Sequence, residues 1–135
     1  MTSVFLDTGY LIAVETEDDQ HHEAASRHWR HLTISLPRLV MTSYVLAEVV
    51  TFFNARNRHA KGVEIGSRLM RSPAVQLVHV DETLFQEAWR YFTRHTDKSY
   101  SLTDCISFVL MERLGIRTAL AFDGHFVQAG FEKQP

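Results

Sequence analysis

The sequence predicts an α/β fold in which a parallel sheet is covered by helices on both faces. Two observations predict it: short apolar runs rich in β-branched residues recur along the chain, and longer segments of helical spacing separate them. A third bounds it, because 135 residues suit one compact unit, with no internal repeat and no linker long enough to divide them. The pattern does not give strand order.

The elements follow in turn. Ser3-Val4-Phe5-Leu6 reads as a buried strand ending in the turn Asp7-Thr8-Gly9, and Leu11, Ile12 and Val14 mark a short helix after it. Asp18 or Asp19 is placed to cap a second helix carrying Ala25, His28, Trp29 and Leu32. Pro37 ends that pattern, Leu39-Val40-Met41 is a second strand, and Thr42 or Ser43 caps a helix with Val45, Val49, Phe52 and Phe53 on one face. Arg56 to Arg71 reads as a basic helix stopped by Pro73, and Val75 to Val80 alternates as a third strand. Asp81 caps the most amphipathic helix, with Leu84, Phe85, Ala88, Trp89 and Phe92 on one stripe. Ser101 caps the next, in which Asp104 sits in the first turn and Gly115 ends the run. Thr118 to Phe122 is a fourth strand ending in Asp123-Gly124, and a helical turn over His125 to Gly130 leads to a short final strand near Phe131.

Composition narrows the function classes. With 45% hydrophobic residues, six Gly and three Pro, the chain is neither disordered nor collagenous. A single cysteine excludes an internal disulfide framework, and no run approaches the ~20 apolar residues that span a bilayer. The opening residues lack a basic leader and bring acid at Asp7, so a cytoplasmic protein is expected. The formal charge of -2 speaks against a cationic coat for nucleic acid, yet it averages two unlike regions. Residues 1–55 hold seven acids against three arginines, whereas Arg56, Arg58, Lys61, Arg68 and Arg71 crowd the next stretch against Glu64 alone. A local basic patch beside an acidic pocket therefore remains allowed.

Four acids sit among apolar neighbours. Asp7 and Asp123 follow strands, and in an open parallel sheet ligands collect at the carboxyl ends of strands. Glu48 lies four residues from both Tyr44 and Phe52, near an apolar stripe where an unpaired carboxylate is costly; its plainer reading is an acid paired with Arg56 or another base near the rim. Asp104 begins a largely apolar helix, where an acid also stabilises the helix start without any function. Asp7, Glu48, Asp104 and Asp123 together make a carboxylate cluster that needs shared protons or cations, and hard divalent ions such as Mg²⁺ or Mn²⁺ meet that need. Zinc is poorly supported: Cys105 lies on the core stripe, and the histidines, expected at surface or rim, show no Cys-His spacing. Such a cluster activates water and holds a phosphodiester's developing charge without a side-chain nucleophile.

At these residues the sequence resembles the PIN-domain family, in particular its VapC-type toxin ribonucleases. Val4 to Gly9 is similar to the family's first strand and first acid, and Thr42 to Val49 to its second motif with Glu48 in the acidic position. Ser101 to Ser107 resembles the third motif, and Ala121 to Phe126 with Gly130-Phe131 the fourth motif and closing strand. The resemblance implies an α/β/α sandwich with a central, mainly parallel sheet of about five strands, and residues 1–135 as a single PIN-like ribonuclease domain. It implies a Mg²⁺- or Mn²⁺-dependent endoribonuclease, the toxin of a toxin-antitoxin pair, with Asp7, Glu48, Asp104 and Asp123 at the metal and Thr8 and Ser107 as supporting donors. RNA, a small antitoxin and a second copy of the chain are the implied partners, and with RNA as substrate Arg56, Arg58, Lys61, Arg68 and Arg71 are the expected contacts to its backbone.

Rival readings fit less well. A phosphatase nucleophile motif wants a second acid two positions after Asp7, where Gly9 stands; a receiver domain wants an acidic pair at its first strand, and Gly-rich phosphate loops are absent. An autonomous RNA-processing nuclease and a catalytically silent PIN-like RNA-binding or scaffold protein remain as alternatives. Trp29, Phe52, Phe53, Phe85, Trp89 and Phe92 read as core or interface residues; Trp29, Tyr44, Phe52, Phe53, Trp89, Tyr91 and Phe92 are numerous enough to leave apolar surface for a dimer or partner.

Overall fold

Val4, Phe5 and Leu6 are all buried, and they make Ser3–Leu6 (β1) the central strand of a five-stranded sheet. The computed structural model describes residues 2–135. Arg38–Thr42 (β2) and Val75–Val78 (β3) extend the sheet on one side of β1, and Thr118–Leu120 (β4) and Glu132–Gln134 (β5) on the other. The order is β3-β2-β1-β4-β5 with every neighbouring pair parallel, and Phe5 lies opposite Val40 on one side and Ala119 on the other. A strand with two parallel neighbours is buried on both faces, which is why β1 and β2 read as unbroken apolar runs.

The helices fill the crossovers. Thr8–Glu15 (α1) and His22–Leu32 (α2) join β1 to β2; Ser43–Ala55 (α3) and His59–Arg71 (α4) join β2 to β3. Glu82–Arg94 (α5) and Leu102–Leu114 (α6) carry the chain across the sheet to β4, and the short His125–Gln128 (α7) leads to β5. Parallel crossovers are right-handed, so reversing direction after β3 moves α5, α6 and α7 to the face opposite α1–α4. The result is an α/β/α sandwich. In agreement, α1 packs on α2 and α3, α3 on α4, and α5 on α6. The α3–α4 contact is close: a Cβ on Gly62 would meet the Val50 carbonyl at 3.1 Å, and one on Gly66 would meet a Val50 methyl at 3.0 Å.

Local signals account for most boundaries. Thr42 Oγ1 accepts the Val45 N–H, Asp81 Oδ1 accepts the Leu84 N–H, and Gly115 closes α6 in the left-handed conformation at φ 70°. The expected basic helix starts later than the charge pattern suggests, because Asn57 turns through φ 61° and leaves Arg56 and Arg58 in the α3–α4 connection. α2 is not capped by a side chain; Asp19 Oδ1 instead accepts the N–H of His21, just outside it. β3 ends at Val78 and β4 at Leu120, short of the runs the alternation suggested. On α5, Leu84 and Ala88 are buried, while Trp89 and Phe92 of the same stripe are exposed. Among the described residues, no helix is long and apolar enough to cross a membrane.

Candidate functional site

The chain leaves β1 toward β2 on one side and reaches β4 on the other only after α6, so the strand order reverses between β1 and β4. In doubly wound sheets the crevice beyond the carboxyl ends at that switch is where ligands bind. Asp7 directly follows β1 and lies at the start of α1, with its N–H bonded to the Leu120 carbonyl of β4 at 3.1 Å. Asp123 lies in the turn after β4, Glu48 on α3 and Asp104 in the first turn of α6. All four acids line one open cleft, together with Thr8, Gly9, Ile12, Asp19, His21, Phe52 and Phe122.

The four differ in environment. Asp7 is 7% exposed, and its burial, reinforced by the charges of Asp123 and Asp104, pushes its carboxyl up to about 8. The backbone N–H groups of Thr8 and Gly9 oppose that shift without cancelling it. Burial also raises Asp104, against the pull of the Ser101 N–H and the His125 ring. Asp104 forms a capping box: Ser101 Oγ accepts its N–H at 3.0 Å, and its Oδ2 accepts the Ser101 N–H at 3.1 Å. The same Oδ2 lies 2.9 Å from His125 Nδ1, and Asp123 Oδ1 accepts the His125 N–H at 2.9 Å. Glu48 is exposed rather than desolvated, and its Oε1 accepts the Thr8 hydroxyl at 2.8 Å. The pairing of Glu48 with Arg56 does not form; Arg56 donates to the Phe52 carbonyl and lies over the Phe52 ring.

These residues fit a divalent cation. Asp104, Asp123 and His125 offer ligand atoms all within 4.8 Å of one another, and Asp7 keeps a proton near neutrality that a cation would replace. A donor set dominated by carboxylate oxygens suits Mg²⁺ or Mn²⁺.

His125 was not legible as part of the site. Its only signal is the Asp-Gly-His step, in which a turn two residues long brings the imidazole back over the preceding acid. His21 and Asp19 line the cleft itself, which the sequence did not indicate. Ser107 is buried, but its hydroxyl donates to the Thr103 carbonyl of its own helix at 3.0 Å and, among the described residues, makes no hydrogen bond to an acid. The five basic residues divide. Arg56 and Arg58 line a hollow that shares Asp19 and Phe52 with the acid cleft, and Lys61 lies 6.0 Å from the Phe53 ring at the start of α4. Arg68 donates to Glu15 at 3.2 Å, while Arg71 sits at the far end of α4, about 20 Å from Arg58 at the helical rise.

The chain belongs to the PIN-domain family, whose model matches residues 4–132. Within that family it is VapC20-like. It is 38% identical over 129 residues to the protein named 23S rRNA-specific endonuclease VapC20 of Mycobacterium tuberculosis, in strains CDC 1551 and H37Rv, covering 95% of each chain. The crystal structure of Mycobacterium tuberculosis VapC20, described as a sarcin-ricin loop cleaving toxin, matches with a TM-score of 0.88 at 34% identity, over 98% of this chain and 99% of that one. FitAcB from Neisseria gonorrhoeae shares the fold at a TM-score of 0.69 and 16% identity, over 98% of this chain and 96% of that one.

Proposed function

We propose that this protein is a divalent-metal-dependent endoribonuclease and the toxin of a toxin-antitoxin pair. The observation that carries the reading is the convergence of four acids from separate elements on one cleft, with Asp7 held nearly neutral by its burial and the charges of Asp104 and Asp123. Asp7, Glu48, Asp104 and Asp123 would hold Mg²⁺ or Mn²⁺. When bound, the ion offsets charge developing on the scissile phosphodiester and makes water a better nucleophile. Thr8 orients Glu48 by donating a hydrogen bond from its hydroxyl, His125 fixes Asp104, and the turn at Asp123 is fixed by the His125 N–H. Ribosomal RNA is the first substrate class to test, because the VapC20 relative is a 23S rRNA-specific endonuclease by name.

Metal-stripped protein should cleave RNA only when Mg²⁺ or Mn²⁺ is restored, and a millimolar ion should raise the thermal midpoint by binding the native cleft alone. Undiminished cleavage after thorough chelation would overturn the proposal.

Arg56 and Arg58 are assigned the principal RNA-backbone contacts, because their hollow adjoins the acid cleft; Lys61 extends that set, and Arg68 and Arg71 lie farther along α4. Replacing Arg56 and Arg58 by Gln should weaken RNA binding and flatten its salt dependence by about one unit of slope per residue, whereas Arg68→Gln should leave the slope nearly unchanged. Equal slopes for all variants would remove the assignment.

Partners belong to the same proposal. Tyr44, Trp89 and Phe92 remain exposed on α3 and α5, and Tyr44 packs against Phe85 between them. That apolar surface supports a homodimer. A separate apolar hollow lined by Trp29, Leu36, Ile65 and Leu69 supports a small antitoxin segment as the second partner.

A further inference from the structure

One wall of the acid cleft lies apart from the clustered ligand atoms of Asp104, Asp123 and His125. There His21 lies flat on Phe122, with ring centroids 4.3 Å apart and planes 4° from parallel. Phe122 stacks in turn on Tyr10, whose ring is fully buried and whose hydroxyl is hydrogen-bonded to His28 Nδ1 at 2.8 Å. A column of three rings therefore runs from the core to the cleft, which Phe122 and His21 line beside Asp7 and Asp123.

His21 is held in place by its backbone. Asp19 Oδ1 accepts its N–H at 2.8 Å, its carbonyl accepts the Ala25 N–H at 2.9 Å, and the turn before it is closed by Asp19 N–H to the Thr16 carbonyl. His22 is tied separately to the Ala13 carbonyl at 2.8 Å. By contrast, the His21 ring nitrogens make no hydrogen bond among the described residues, and the side chain stays half-buried. A planar ring, backed on one face by an aromatic, fixed at its backbone and free at its nitrogens, is a preorganised platform for another planar group.

We infer that His21, backed by Phe122, is the surface on which a nucleobase flanking the scissile phosphate stacks. The inference rests on the ribonuclease reading and deepens it by giving a substrate-positioning residue. Stacking adds, beside the acids themselves, an anchor that the backbone contacts of Arg56 and Arg58 do not give. A protein of net charge -2 with an acidic cleft gains little from long-range attraction to a polyanion. Unpaired bases, however, bind aromatic and imidazole faces whatever their sequence, and anchoring one base brings its phosphate to the acids.

The test uses a short single-stranded RNA carrying 2-aminopurine, whose fluorescence is quenched on stacking, titrated with metal-stripped protein. His21→Ala should weaken binding about 5- to 150-fold and lose the quenching, while His21→Phe should retain both. In Mn²⁺-dependent cleavage, His21→Ala should raise KM by a similar factor with a much smaller change in kcat. An abasic nucleotide beside the mapped cleavage position should impose the same loss on the wild type and none further on His21→Ala, since one stack is lost only once. The abasic RNA probes the contact without altering the protein, so an effect on folding cannot imitate it.

Wild-type affinity in His21→Ala, or losses that multiply in the combined experiment, would overturn the inference. His21-dependent binding with no metal-dependent cleavage would instead sink the ribonuclease reading and keep the stack. Cleavage with an unaltered KM in His21→Ala would sink the stack alone, and absence of both binding and cleavage would sink both.

Discussion

Asp7→Asn should reduce metal-dependent cleavage by about 100-fold or more and, in the same molecule without metal, raise stability at neutral pH. The two effects have one cause. Asp7 is buried at the end of β1 with Asp104 and Asp123 beside it, so its carboxyl holds a proton up to about 8 in the folded chain, against 3.8 as the ordinary value. Below both values the group is protonated in folded and unfolded chains alike and contributes no pH dependence. Between them, folding takes up a proton, so stability falls as pH rises; above about 8 the full cost remains, on the order of a few kcal/mol. Asp104 is raised for the same leading reason and adds in the same direction. The metal-free wild type should therefore melt at a lower temperature near about pH 8 than near about pH 5, and Asp7→Asn should flatten much of that difference. A bound divalent ion should reverse the trend by stabilising the deprotonated carboxylate. Differential scanning calorimetry with and without Mn²⁺ reads the sign directly. A midpoint for metal-free Asp7→Asn below the wild type near about pH 8 would mean that the carboxylate stabilises the fold, contrary to its burial beside like charges.

Why the sequence discloses the four acids well and their surroundings poorly has a physical basis. Asp7 and Asp104 interrupt apolar runs, and Ser101 with Asp104 spells a capping box, so chain-local rules locate them. Glu48 is found by its place near the α3 stripe, yet the cost assigned to it is wrong: on a helix, one step around the axis separates a buried face from an exposed one, and Val49 is buried while Glu48 is not. The all-parallel sheet follows from alternation, but its order does not, because the reversal between β1 and β4 depends on α5 and α6 crossing to the other face. His125 reaches Asp104 through turn geometry, and His21 reaches the cleft by stacking on Phe122, which is distant from it in sequence; neither leaves a periodic trace. Asn57 likewise breaks the basic stretch by its backbone conformation alone, where charge counting sees one helix.

Asp104 carries two jobs, and separating them gives the second large effect. Its carboxylate closes the capping box with Ser101 and also receives His125, so loss of activity on mutation is open to a folding explanation unless the two are divided. Ser101→Ala removes the cap acceptor for the Asp104 N–H and should cost about 1 kcal/mol, lowering the midpoint by about 4 °C, with kcat at moderate temperature little changed. His125→Ala leaves the capping box intact and should lower cleavage by about 10- to 100-fold through weaker metal binding, the usual penalty for losing a group that orients a ligand. Asp104→Asn keeps an amide oxygen able to accept the Ser101 N–H and relieves a buried charge, so the metal-free chain should melt no lower than the wild type while cleavage falls about 100-fold or more. Mn²⁺ titration calorimetry on the three variants should then order affinity as Ser101→Ala above His125→Ala above Asp104→Asn. If Ser101→Ala instead loses as much activity and metal affinity as Asp104→Asn while both remain folded, the carboxylate's contribution lies in holding the start of α6 and not in the cleft. The opposite ranking of stability and activity across the set identifies a carboxylate kept at that helix start for the ion, since a cap alone would make the two losses run in parallel.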